Sequence, residues 1–408
     1  MQLIKTSLYS AITTFIRIAS GFIANKVVAM FTGPAGVAII LTVSNGAINT
    51  GVVKYTAEYD GNEFKQKKLL STALKISIAC SIFFGLWLLL FANYFSELIL
   101  KTSIYENAIR VLGLTIIFYS LNSLLISIIN GKRQIKQYTI VNTLGSVIGL
   151  IFTVVLVYFY KTEGALYSIV LSQSVIFFVT VFFVFKSDWF SWNYFKRPFS
   201  TELAKKLGGF SMMALVSVFT APVVQILLRN MVISKVNLDA AGYWQGMMKV
   251  SDGYLLLITT ALSTYYLPKL SSLKNDKDIR AEMFYGYKII MPTVFIGCAV
   301  IYLCRFLVIK ILYTGSFFDM QELFLFQLIG DFFKIAAWLI AYLMLAKAMT
   351  KLFIVTEIVF SIIYLILGYI CVDIFGLIGI TIAFAINYFI YFVFMGCYFR
   401  KLIFSKNE

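Results

Sequence analysis

Histidine is absent from all 408 residues. Its absence excludes a histidine general base, a histidine zinc ligand and an imidazole proton relay. Cysteine is scarce. The five present, Cys80, Cys298, Cys304, Cys371 and Cys397, lie in or beside apolar runs without metal-ligand spacing. They read as reduced residues of membrane helices, so no metal site is expected. Acidic residues number 19, and charged residues make up only 13% of the chain. An ordinary soluble domain has about a quarter charged residues. A soluble enzyme, a disordered chain and a nucleic-acid-binding domain are thereby excluded, and no nucleic acid is expected as a partner. Apolar residues are plentiful: 60% of the chain, with 17% aromatic. A soluble core stops growing at roughly 250–300 residues. The surplus must face lipid.

A membrane span needs about 20 mostly apolar residues. Twelve such stretches are read: 7–31, 36–58, 73–95, 107–130, 138–160, 164–185, 207–229, 240–267, 289–313, 322–346, 352–371 and 377–399. The expected fold is therefore an all-α integral membrane protein of twelve transmembrane helices. The first stretch is too long for a cleaved signal, carries Arg17 and Lys26, and has no cleavage site after it. The connections on one side hold 22 Lys and Arg. Those on the other hold 3: Lys101, Lys161 and Lys235. The positive-inside rule then puts both termini in the cytoplasm. Most of the net charge of +16 would lie against anionic membrane lipids, a partner in its own right. The outer loops are short, which argues against an enzyme with an outer catalytic domain.

The chain also repeats itself. Gly131-Lys132-Arg133 through Tyr138 aligns with Ala346-Lys347-Ala348 through Phe353 at an offset of 215, which carries Gly164 onto Gly379 and Phe177 onto Phe392. Val43-Ser44-Asn45-Gly46 aligns with Val250-Ser251-Asp252-Gly253 at an offset of 207. Two pseudo-symmetric six-helix bundles are expected: 1–188, a cytoplasmic linker over 189–206, and 207–408. Six is even, so both halves enter the membrane in the same direction, as in secondary transporters with parallel repeats. Such folds place their site near the midplane between the halves and expose it alternately to each side. Pro222 and Pro292 lie where helices can bend.

Ten basic residues fall within the spans. Lys75, Arg110, Arg229 and Lys310 lie near span ends and snorkel. Arg305 is intermediate, and Lys54 has Glu58 one turn away. The deep bases are Arg17, Lys26, Lys249 and Lys334, and the deep acids are Asp252, Asp331 and Glu357. A charge at the bilayer centre costs about 2.5–3.5 kcal/mol even on insertion scales, so these groups face the bundle interior or a watery cavity. Two accounts stand side by side. Lys249 with Asp252, and Asp331 with Lys334, could simply neutralise each other at i,i+3 spacing. Alternatively Arg17, Lys26, Lys249 and Lys334 bind an anion such as a diphosphate, while Asp252, Asp331 and Glu357 couple to H⁺ or Na⁺. No other cofactor is expected. Tyr243, Trp244 and Tyr254 either stack on sugar rings or belong to an interfacial aromatic belt.

Several ordered stretches carry a family resemblance. They are Thr32-Gly33-Pro34-Ala35-Gly36, Lys54-Tyr55-Thr56-Ala57-Glu58-Tyr59, Trp244-Gln245-Gly246, Ser251-Asp252-Gly253-Tyr254, Tyr266-Leu267-Pro268-Lys269-Leu270-Ser271, Gln327-Leu328-Ile329-Gly330-Asp331-Phe332-Phe333-Lys334 and Ala346-Lys347-Ala348. In this order along twelve spans the chain resembles the Wzx-type flippases, the O-antigen translocases of the polysaccharide transporter branch of the MATE-like superfamily. Phe326 departs from the Trp that close relatives tend to carry there. The resemblance implies a MATE-like fold. It also implies translocation of an undecaprenyl-diphosphate-linked O-antigen oligosaccharide from the cytoplasmic to the periplasmic leaflet of a bacterial inner membrane. It implies no enzymatic activity, and it suggests the O-antigen polymerase and chain-length regulator of lipopolysaccharide biosynthesis as partners. A cation-coupled drug exporter of the same fold is the alternative function. It would favour an acidic cavity.

Overall fold

The computed structural model describes residues 34–100, 102–313 and 315–404. The expected first span, with Arg17 and Lys26, lies outside the described residues. Among the described residues there are helices and no strands. In chain order the helices are α1 Pro34–Ser44, α2 Asn49–Glu58, α3 Glu63–Leu90, α4 Ala92–Leu100, α5 Glu106–Gly131, α6 Ile135–Phe185, α7 Thr201–Lys235 and α8 Leu238–Ala261. There follow α9 Leu267–Ser272, α10 Asp276–Leu303, α11 Arg305–Leu312, α12 Phe324–Ala346, α13 Thr350–Phe375, α14 Leu377–Tyr398 and α15 Arg400–Phe404. Eight described helical segments are long and apolar enough to cross a membrane. Polar residues mark where α3 and α8 begin. The Asn62 side chain accepts from the Lys65 amide at 3.0 Å, and Asn237 accepts from the Ala240 amide at 2.7 Å. Each caps an amide that the helix leaves without a partner.

The 51 residues of α6 are not one rod. Gln137 Nε2 donates to the Phe183 carbonyl at 2.8 Å, and Thr153 Oγ1 lies 3.3 Å from Ser168 Oγ. A side chain at Gly145 would meet Ile176. These pairs approach each other in antiparallel register, so the chain doubles back between Tyr160 and Gly164, where two separate spans are expected from the sequence. A Cβ at Gly164 would sit 1.9 Å from the Leu156 carbonyl oxygen, and only glycine allows that approach.

The internal repeat is written into the backbone. A Cβ at Gly379 would sit 2.0 Å from the Cys371 carbonyl oxygen, and both residues lie 215 beyond Gly164 and Leu156. The turn after α5 has Arg133 at φ +57°, and the turn after α12 has Ala348 at φ +54°. The Gln134 amide donates to Ile129 at 3.1 Å, and the Met349 amide donates to Met344 at 2.7 Å. The Ile135 amide donates to Arg133 and the Thr350 amide to Ala348, both at 2.9 Å. Every one of these pairs is 215 apart. Helix crossings repeat too. Gly85 of α3 and Gly113 of α5 pack backbone to backbone, and at Leu328, 215 beyond Gly113, the carbonyl of α12 lies 3.8 Å from Cys298 Sγ of α10.

The described chain falls into two compact units. One runs to Val218 and includes Ser263–Ser272. The other comprises Phe219–Leu262 and everything from Leu273 onward. In the first unit the segment between α6 and α7 is fastened to α3 and to the turn after α5. Ser71 Oγ donates to the Phe195 carbonyl at 2.9 Å, Lys75 Nζ to the Arg197 carbonyl at 2.9 Å, and Trp189 Nε1 to Gln134 Oε1 at 3.1 Å. The Lys132 ammonium sits 5.2 Å from the rings of both Trp189 and Tyr194. Its burial holds its pKa below the usual lysine value. A wide helical turn over Leu262–Tyr266 precedes Pro268. Proline cannot donate to the helix ladder and crowds the carbonyl four residues back, and the extra residue of a π-turn relieves both problems.

Candidate functional site

In the second unit, α12 presents Gln327, Asp331, Lys334 and Trp338 at spacings of four, three and four, so they share one face of the helix. Asp331 is fully buried. Its carboxylate accepts hydrogen bonds from Ser251 Oγ at 2.6 Å, from the Tyr254 hydroxyl, and from Gln327 Nε2 at 3.4 Å. Ser251 and Tyr254 stand three apart on α8. Two helices thus converge their donors on one acid, which offsets part of the cost of burying it.

Lys334 lies ten residues into α12, about 15 Å along its axis and near its middle. Its ammonium faces rings rather than a carboxylate: 5.1 Å from Trp338, 5.5 Å from Tyr388 and 5.7 Å from Phe384. Phe384 and Tyr388 are one turn apart on α14 and pack on each other with centroids 4.7 Å apart. Each such contact contributes about 0.5–2 kcal/mol, more where water is excluded. Among the described residues no acid lies within ion-pair distance of Lys334; Asp331 and Lys334 act on each other through space without a direct ion pair. The acid is held by neutral donors and the base by aromatic faces. Gly330 makes the cage possible, since a Cβ there would come within 2.3 Å of the Phe384 ring.

The other expected charges are placed differently. Lys249 and Asp252, on α8, are exposed, and no ion pair joins them. Asp252 is near enough to Asp331 and Lys334 to act on both through space. Lys249 and Asp252 both stand in the middle of α8, which is not among the eight described segments apolar enough to cross a membrane, and such exposed charges suit water or polar groups rather than acyl chains. Glu357 is half-buried on α13 and is not among the hydrogen-bond partners of Asp331. Arg17 and Lys26 lie outside the described residues. Lys54 does pair with Glu58, and its ammonium also sits 3.8 Å from the Tyr55 ring centroid.

Sequence reasoning missed Ser251, Gln327, Trp338, Phe384 and Tyr388 as site residues. The one-face spacing on α12 was a usable signal for Gln327 and Trp338. Nothing local ties Phe384 and Tyr388 to Lys334. Of the aromatics considered for sugar stacking, Tyr254 instead spends its hydroxyl on Asp331. Trp244 is buried in its unit, and Tyr243 packs edge-on against Phe317 with centroids 5.5 Å apart. No cluster of metal ligands occurs among the described residues. Chemically, the site offers a cation bounded by aromatic rings beside a carboxylate whose hydrogen-bond partners are all neutral.

A family described as polysaccharide biosynthesis protein matches residues 28–322. The chain is 29% identical over 402 residues to the lipid III flippase of Escherichia coli (strain K12), covering 96% of this chain and 97% of that one. It is 25% identical to a putative O-antigen transporter of Shigella flexneri, covering 95% of each. A crystal structure of MATE in the straight conformation superposes with a TM-score of 0.85 at 14% identity, covering 98% of this chain and 96% of that one. The fold is thus the all-α, twelve-helix membrane fold of MATE transporters, as expected from the sequence.

Proposed function

The chain belongs to the polysaccharide biosynthesis protein family, and from that premise we propose that it is a flippase for a lipid-linked oligosaccharide. The proposed cargo is an undecaprenyl-diphosphate-linked O-antigen repeat unit. It would pass from the cytoplasmic to the periplasmic leaflet of a bacterial inner membrane, with both termini of the protein cytoplasmic. The observation that carries the proposal is the caged ammonium of Lys334 at mid-helix, in a chain that matches a lipid III flippase over nearly its full length. A lysine supplies a point charge for a phosphate, and the faces of Trp338, Phe384 and Tyr388 suit the apolar faces of sugar rings. Lys249 is a second cation for the same headgroup. Arg17 and Lys26 are the candidates on the first span, and Arg17→Ala is expected to abolish transport.

Asp331 is the first candidate for coupling, with Asp252 and Glu357 beside it. A carboxylate held by Ser251, Tyr254 and Gln327 can exchange a proton, or take Na⁺, when water reaches it. Alternating access then moves the headgroup while the lipid tail stays in the bilayer. The polymerase that consumes the flipped unit, and its chain-length regulator, are the expected partners.

Deletion of the gene in its native host tests the proposal. The expected result is loss of the surface polysaccharide, with undecaprenyl-linked oligosaccharide accumulating on the inner leaflet, read by mass analysis and leaflet-selective labelling. Intact polysaccharide together with new drug sensitivity would reject it in favour of a drug exporter of the same fold.

A further inference from the structure

An apolar groove of about 490 Å³ runs along the second unit between α10 and α14, away from Asp331 and Lys334. Phe284 of α10 and Phe392 and Val393 of α14 form its walls, and Ile340 of α12 lies at its floor. Arg280 and Arg400 stand at one end. The same two arginines also line an adjoining pocket of about 800 Å³, together with Lys401 and Asp276. The groove and the basic pocket therefore share their two guanidinium groups. Arg280 is fixed there, because its Nε donates to the Leu402 carbonyl at 2.7 Å.

We infer that this is a binding site for one molecule of anionic phospholipid, with an acyl chain in the groove and the phosphodiester between Arg280 and Arg400. A free inorganic anion would leave the groove empty, and an uncharged lipid would place nothing negative beside Arg280, Arg400 and Lys401. Only an amphiphile with a negative headgroup satisfies both halves. Arginine suits the task, since its planar fork meets phosphate oxygens with two donors. Asp276 repels the headgroup from one side of the pocket and so directs it toward Arg280 and Arg400. Beside its charged groups the pocket has Tyr398 as its one neutral hydrogen-bonding side chain, too few for a carried oligosaccharide, which favours a bilayer phospholipid over the transported substrate. The site lies at the boundary that the Lys and Arg bias assigns to the cytoplasmic leaflet, the anionic one. Its floor is α12, the helix of Asp331 and Lys334, and the Tyr287 hydroxyl of α10 donates to the Ala336 carbonyl of that helix.

The test uses the purified full-length chain in detergent. It is titrated separately with phosphatidylglycerol, phosphatidylcholine and undecaprenyl phosphate, and read by native mass spectrometry and thermal shift. Both lipids carry the phosphodiester, but phosphatidylcholine would bring a quaternary ammonium beside Arg280, Arg400 and Lys401, so phosphatidylglycerol is expected to bind roughly tenfold more tightly. The double variant Arg280→Gln, Arg400→Gln should lose that preference. Because Arg280 also holds α15, a second variant is needed. Gly396 lines the groove, and a Cβ there meets nothing within 4 Å, so Gly396→Phe fills the groove without a clash at the backbone. It should fold normally and lose bound phosphatidylglycerol. Equal binding of the two phospholipids, a preference that survives both variants, or stronger binding of undecaprenyl phosphate than of phosphatidylglycerol would each overturn the inference.

Discussion

Helices α5 and α12 are copies of one frame, yet they solve opposite problems. At an offset of 215, Ile116 stands where Asp331 stands and Tyr119 where Lys334 stands. Ile116 is buried with Leu88, Ala92, Ile109 and Leu112 in an apolar cluster. Asp331 is equally buried, but among Ser251, Tyr254 and Gln327. The crossing helices meet within two residues of the same place in both copies, through glycine against glycine in one and Cys298 against the Leu328 carbonyl in the other. A duplicated scaffold can thus hold one copy apolar for packing while the other takes charge into the same place. The difference lies in whether neighbouring helices supply donors and rings.

The largest effect is expected from forcing the first copy to imitate the second. Ile116→Asp would bury a carboxylate with no donors around it, at a cost of several kcal/mol. The variant should fail to accumulate in membranes by immunoblot, and normal accumulation would show that the two environments are less different than their packing indicates. Next comes Asp331→Asn, which keeps shape and removes charge. Membrane levels should hold while transport, followed as surface polysaccharide, falls at least roughly tenfold, the loss of about 1.4 kcal/mol of coupling. Unimpaired transport would make Asp331 a structural residue. Lys334→Met keeps the apolar stem within the ring cage and should be as stable as the parent in a thermal melt, yet defective in transport. Equal transport would remove the ammonium from the site. Gly330→Ala must displace Phe384 and should give a partial transport defect of smaller size. The smallest effect is expected at the half-exposed pair of Lys235 and Asp373, 2.6 Å apart. Lys235→Ala should cost no more than about 1 kcal/mol in unfolding and leave transport unchanged.

Much of this fold was legible in the chain. Long apolar stretches marked the spans, and the match of Gly131–Tyr138 with Ala346–Phe353 marked the repeat, because turn geometry constrains sequence locally. The pairing of Lys54 with Glu58 followed from helix periodicity for the same reason. The site was only half legible. Spacing placed Asp331 and Lys334 on one face and suggested an ion pair. It could not show that α8 would bring donors to the acid or that α14 would bring Phe384 and Tyr388 to the base. Those partners lie tens of residues away, and only packing selects them. Lys249 and Asp252 read the same way in sequence, yet both side chains are exposed and no ion pair joins them.

The turn after α5 and its counterpart after α12 carry a lesson about inheritance. Arginine occupies the left-handed position in one and alanine in the other, and neither is the glycine that conformation favours. What has been handed down is a pattern of main-chain donors and acceptors, with side-chain identity free to drift around it. Kinship between distant members of such a lineage is therefore better sought in the hydrogen-bond ledger of their corners than in the letters spelling them.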